Sequence, residues 1–187
     1  SADIRKNIVS LAKMLGYTPT SPKSPSASIN ILMNNITSSP ATITMAKGTA
    51  FTTTIDGQSF QFITNAEHVI SPVDGVYQFS NIDIFEGTLV NFKYTADSTD
   101  VDQRFIIPSI NADTTTLKVS VQNSSTDTTT ATYSLATGLT SLSSSSKVYF
   151  LQEMEDGKFE VYFGDGVLGT QLSDGNIVIL EYIVSNK

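Results

Sequence analysis

The chain has 187 residues, 18 Asp+Glu against 11 Lys+Arg, a formal charge of -7, one His, and neither Cys nor Trp. This excludes a disulfide framework and a cysteine metal site, and a pI of about 4.5 without a basic run excludes electrostatic capture of nucleic acid. Serine and threonine number 48, far above ordinary usage, which leaves an acidic, β-rich chain of one domain or two small ones with little of the usual catalytic alphabet.

Residues 2–16 are expected to form a helix. Ile4, Ile8, Leu11, Ala12 and Leu15 fall on one stripe, and Gly16 suits the left-handed position that ends it. Pro19, Pro22 and Pro25 then require an extended linker. The chain does not begin with Met, and it is read as a fragment or processed product. No apolar run approaches the roughly 18 residues of a membrane span.

Beyond the linker the period becomes two. Ser28–Ile31 and Thr42–Met45 alternate, and Phe51–Ile55, Asp56-Gly57 and Phe60-Gln61-Phe62 read as a hairpin. Tyr77, Phe79, Ile82 and Ile84 form another group, Glu86-Gly87 a break, and Val90, Phe92 and Tyr94 the next strand. Further strands are expected at Phe105–Ile107, Leu117–Val121, Val148–Glu153, Phe159–Phe163 and Ile177–Val184. Residues 122–132 read as a solvated loop or exposed edge hairpin, and Ser143 to Ser146 as a flexible turn. The expected fold is mainly β: a helix and linker over 1–25, then one or two small antiparallel β-sandwich-like units at 26–88 and 89–187.

Few residues carry chemistry. His68 lacks a recognisable nucleophile motif and reads as a surface or turn histidine. Glu153, Glu155, Asp156 and Glu160 surround one expected hairpin, where a solvated tip is the plainer reading than a hydrolytic pair. Asp165 and Asp174 lack calcium-loop spacing. The triplets at Asn35 and Asn123 match a glycosylation acceptor, as chance allows in so Ser- and Thr-rich a chain. Tyr77, Phe92 and Tyr94 are the rings a carbohydrate-binding module or adhesin would use, the alternative class. The sharpest local signal is Phe163-Gly164-Asp165-Gly166-Val167-Leu168-Gly169. It has no Walker Lys-Ser/Thr and no following helix, so it reads as a strand-to-strand turn. Gly164, Asp165, Gly166, Gly169 and Gly175 are its structural residues.

The run Phe159 to Gly169, with Gly175 and Glu181-Tyr182 after it, resembles the baseplate J-like proteins, wedge components of contractile-tailed phages. Leu11 to Pro19, Ser26 to Ile29, Lys47 to Phe51, Glu86-Gly87 and Val148 to Glu153 follow the family's order. The chain departs from the pattern at Met45-Ala46-Lys47, where a Pro is common, and in having no Trp. The resemblance, nearest to the T4-like branch, implies the middle region of a longer virion protein. It implies assembly in the host cytoplasm, and partnership with other wedge proteins and further copies of itself around the tail hub. It implies no enzyme activity, cofactor, metal, small-molecule substrate, nucleic acid or membrane.

Overall fold

β-branched and aromatic residues at alternating positions form the strands of the described chain. The computed structural model describes residues 20–34, 36–100, 102–138 and 141–186. The helix expected over 2–16 lies outside them, and no helix occurs among the described residues.

The strands are β1 (Ser26–Met33), β2 (Ile43–Met45), β3 (Ala50–Ile55), β4 (Gln58–Thr64), β5 (His68–Ile70), β6 (Tyr77–Glu86) and β7 (Thr88–Thr95). They continue as β8 (Phe105–Ile107), β9 (Ala112–Gln122), β10 (Thr130–Leu135), β11 (Val148–Glu153), β12 (Phe159–Phe163) and β13 (Ile177–Val184). The described residues form two compact units, one within 23–89 with 183–186, the other of 20–22 with those within 90–182.

The first of these holds a four-stranded sheet of order β1-β6-β4-β3 and a two-stranded ribbon, β2-β5. Met45, Phe79, Ile82 and Ile84 form its buried core, with Ile29, Phe51, Phe62 and Ile70 packed around them. β3 and β4 join through Asp56 (φ 51) and Gly57 (φ 79), the two positive angles of a type I′ hairpin. β6 changes phase once. Tyr77 and Phe79 face inward, then Ile82 and Ile84, with one extra residue between them. The register against β1 shifts there, Asn81 takes φ 54, and its N–H donates to Asn30 Oδ1 at 2.8 Å. A β-bulge thus returns the second half of the strand to the core.

The other unit is built on a seven-stranded sheet of order β7-β13-β9-β10-β11-β12-β8. Leu117, Val119 and Val121, Val178, Leu180 and Tyr182, Phe105 and Ile107, and Phe159 and Val161 are buried at every second position. Its two outer strands meet. The Tyr94 hydroxyl of β7 donates to the Ile106 carbonyl of β8 at 2.6 Å, and the Tyr94 and Phe105 rings lie 5.7 Å apart. An aromatic chain continues from Phe105 to Phe163 and on to Tyr133. The sheet therefore curls toward closure and supplies its own second face.

This corrects the expected fold in two ways. The units are curled, near-barrel sheets and not simple small sandwiches. They are also not wholly antiparallel, because β10 and β11 pair in parallel, Ser134 with Val148 and Leu135 with Tyr149. The segment expected as a solvated loop or exposed edge hairpin is the β9–β10 hairpin: residues 123–129 are its mostly exposed loop, Thr130–Tyr133 pair with β9, and only Ser134 and Leu135 beyond them pair with β11.

Candidate functional site

The glycine-rich segment leaves β12 at Phe163 and reaches β13 at Ile177. Asp165 Oδ1 accepts hydrogen bonds from the N–H groups of Val167 and Leu168, both at 2.9 Å. These bonds hold its carboxyl below the usual carboxylate range. Gly166 N–H donates to the Gly169 carbonyl at 3.1 Å, closing the loop on itself. Gly166 and Gly169 have φ of 85° and 90°, and Gly175 has 76°. Gly164 needs to be glycine for another reason. A Cβ there would lie 2.4 Å from the Leu168 carbonyl oxygen and 2.4 Å from the Gly169 carbonyl carbon.

The serine run at 143–146, expected as a flexible turn, clamps this loop. Gly169 N–H donates to the Ser143 carbonyl at 3.0 Å, and Thr170 N–H to the Ser146 carbonyl at 2.9 Å. The turn is itself tied by Ser143 N–H to Ser146 Oγ at 3.0 Å. No sequence motif announces that clamp, since serine repeats read as solvent-facing in isolation.

Beside the loop lies a hollow of about 280 Å³, lined in part by Asp97, Gln103, Phe105, Phe163 and Asp165. That is smaller than the roughly 300–1,000 Å³ of ligand pockets. Its acidic lining is engaged locally. Asp97 Oδ1 accepts from Thr99 N–H at 2.9 Å and from the Thr99 hydroxyl at 2.6 Å, and the Thr99 bonds lower its pKa. Gln103 Oε1 accepts from Asp97 N–H at 2.9 Å.

The other candidates disperse. Glu153 and Glu160 do not form a carboxylate pair. Glu153 stands opposite Phe159 and Glu160 opposite Gln152, which puts the two on opposite faces of the sheet. Glu153 is not solvated at a tip, as expected, but buried at 1% exposure. Its place on the inward series Tyr149, Leu151, Glu153 was the available signal. Glu160 lies outward, 4.0 Å from Arg104, whose guanidinium covers the Tyr162 ring at 4.2 Å. Asp156 pairs with Lys158 at 2.7 Å. Asp174 accepts from Ser98 N–H at 3.2 Å, apart from the two bonds of Asp165. Among the described residues no group of three or more His, Asp or Glu side chains is placed to hold a metal ion.

His68 is a half-buried strand residue opposite Met45, not a turn residue. Tyr77 cannot stack on a sugar: it is buried at 1% exposure and its hydroxyl donates to the Pro40 carbonyl. Phe92 remains exposed at 39%, tilted against Tyr94. Asn35 lies outside the described residues. Asn123 donates its amide to Asp127 Oδ2 at 2.7 Å.

No curated protein matches the chain. The family model for "Bacteriophage baseplate wedge protein gp6, third domain" matches residues 91–185, which takes in most of β7 and everything from β8 to β13 with the glycine loop. The chain therefore belongs to the bacteriophage baseplate wedge protein gp6 family, as a structural, non-enzymatic component of the virion's tail baseplate.

Proposed function

We propose that the chain is a rigid β bracket within a longer wedge protein, joining other wedge proteins and further copies of itself around the tail hub. In this reading it folds and assembles in the host cytoplasm. The glycine loop, with Gly164, Asp165, Gly166, Gly169 and Gly175, is a structural turn that carries the chain from β12 to β13 and binds no ligand. The supporting observation is that acceptors within the protein take up four N–H groups of that loop. Asp165 caps two N–H groups, and Ser143 and Ser146 accept two more. A loop with its donors spent internally resists deformation and offers few groups to a ligand.

The test is wedge reconstitution from purified full-length proteins. A variant with residues 91–185 replaced by a flexible linker is expected to lose incorporation into wedges. Normal incorporation of that variant would refute the reading.

A further inference from the structure

Five Asp-Gly pairs occur in the sequence, beginning at Asp56, Asp74, Asp156, Asp165 and Asp174. Such a pair has a chemistry of its own. The backbone nitrogen of the second residue can attack the side-chain carboxyl of the first, and glycine puts no side chain in the way. The reaction needs a free glycine N–H, a free carboxyl, and room for the aspartate backbone to rotate until the two meet. The fold meets these needs unequally.

Three pairs are held. Gly157 N–H donates to the Met154 carbonyl at 3.1 Å, Gly166 N–H to the Gly169 carbonyl at 3.1 Å, and Gly175 N–H to the Ala96 carbonyl at 3.0 Å. Their carboxylates are engaged too: Asp156 accepts from Lys158, Asp165 from Val167 and Leu168, and Asp174 from Ser98. The three glycines are half-buried. Asp56-Gly57 and Asp74-Gly75 differ, since all four residues are exposed. Neither the glycine N–H nor the carboxylate of either pair has a hydrogen-bond partner among the described residues.

The closure of the two turns separates these last candidates. Both have the paired positive angles of a type I′ turn, φ 51 and 79 at Asp56-Gly57, φ 51 and 77 at Asp74-Gly75. Asp56-Gly57 is fixed by the β3–β4 ladder, six pairs from Ala50↔Ile63 to Ile55↔Gln58. Asp74-Gly75 is closed by the lone bridge Val73↔Val76, whose two bonds are 2.9 Å each. Val73 is 74% exposed, so little apolar burial supports the bridge. Open space surrounds the Gly75 Cα. A turn held by two bonds opens far more often than one that ends a ladder.

We propose that Asp74-Gly75 is a site of spontaneous covalent modification, the conversion of Asp74 to isoaspartate. When the bridge opens, the Gly75 nitrogen attacks Cγ of the protonated Asp74 carboxyl. The nitrogen's proton and the carboxyl hydroxyl leave as water, and a five-membered succinimide forms. Water then opens one of its two carbonyls. Attack at Cγ restores aspartate, and attack at the main-chain carbonyl leaves the chain running through the side chain. The product has one extra backbone carbon, which the two-residue turn between Val73 and Val76 does not accommodate. The modification is therefore expected to unmake that turn, just ahead of β6.

The test is incubation of the 187-residue chain at about pH 5, where part of the carboxyl is protonated, with a parallel sample unfolded in urea. Isoaspartate at each pair is read by peptide mapping and by labelled methyl transfer from an isoaspartyl-specific methyltransferase. In the folded chain Asp74 is expected to convert several-fold faster than any of the other four. In urea the five rates are expected to converge. Conversion at Asp56, Asp156, Asp165 or Asp174 as fast as at Asp74 in the folded chain overturns the proposal. So does an equal lead of Asp74 in urea, which would assign the reactivity to the local sequence and not to the turn.

Discussion

Replacing Gly164 with alanine separates two reasons for a glycine within one loop. Gly164 does not have a positive φ, so its requirement is contact: the added methyl would meet backbone atoms at 2.4–2.5 Å. Backbone cannot swing aside as a side-chain tip can. The loop must move, against the bonds from Gly169 to Ser143 and from Thr170 to Ser146. Overpacking of this kind costs about 1–3 kcal/mol, and three backbone contacts put Gly164→Ala at the top of that range. Gly166→Ala is the paired control. Its φ is 85° but its nearest neighbour, Gln171 Oε1, is 3.4 Å away, leaving only left-handed strain of about 1–2 kcal/mol. At roughly 2–4 °C per kcal/mol for a chain of this length, the two variants should melt in the order Gly164→Ala, Gly166→Ala, parent. Tyrosine fluorescence and urea unfolding give the readout. Gly164→Ala melting with the parent would refute the contact argument.

Other consequences are separable. Tyr94→Phe removes the bond joining β7 to β8 and should cost about 0.5–1.5 kcal/mol in urea unfolding; no loss would mean the outer strands are held by packing alone. Asn81→Val puts a β-branched residue at φ 54 and should cost about 1–3 kcal/mol by the same method, whereas Asn81→Gly should cost little. Asp97, Asp127, Asp156 and Asp165 have lowered pKa values from hydrogen bonds, with Lys158 the partner of Asp156. Their stabilisation is complete above the ordinary carboxylate pKa and is lost as pH falls through the lower folded values, so acid melting should steepen only below about pH 4. Burial raises the pKa of Tyr94, Tyr133, Tyr149 and Tyr182. Those groups favour the folded state until the unfolded chain ionises, so stability should decline above about pH 10; an optical titration that releases all tyrosines at the ordinary value would contradict this.

Strand positions were legible where one face is buried and the other wet. Phe51-to-Phe62 around Asp56-Gly57 and Val148-to-Phe163 around Asp156-Gly157 carry both alternation and turn chemistry, and both are hairpins. Strand partnership was less legible. Nothing local in Thr130–Leu135 marks it as parallel to β11, because that pairing depends on how the whole sheet curls. β5 was not legible either: His68-Val69-Ile70 follows the turn-like Asn65-Ala66-Glu67 and reads with it. The phase slip between Phe79 and Ile82 was visible as two alternating series out of step by one residue, the sequence trace of the bulge. Glu153 misled because charge near a hairpin suggests solvent, while its parity with Tyr149 and Leu151 pointed inward. The glycine segment identified a bend, but the serine clamp beneath it comes from a tertiary contact between residues more than twenty positions apart.

The most direct test of the baseplate assignment is cross-linking mass spectrometry on intact tails of a phage that encodes this sequence. The account predicts peptides from residues 91–185 in the baseplate fraction, with cross-links to other wedge proteins. Tails that assemble and contract normally without these peptides would contradict it.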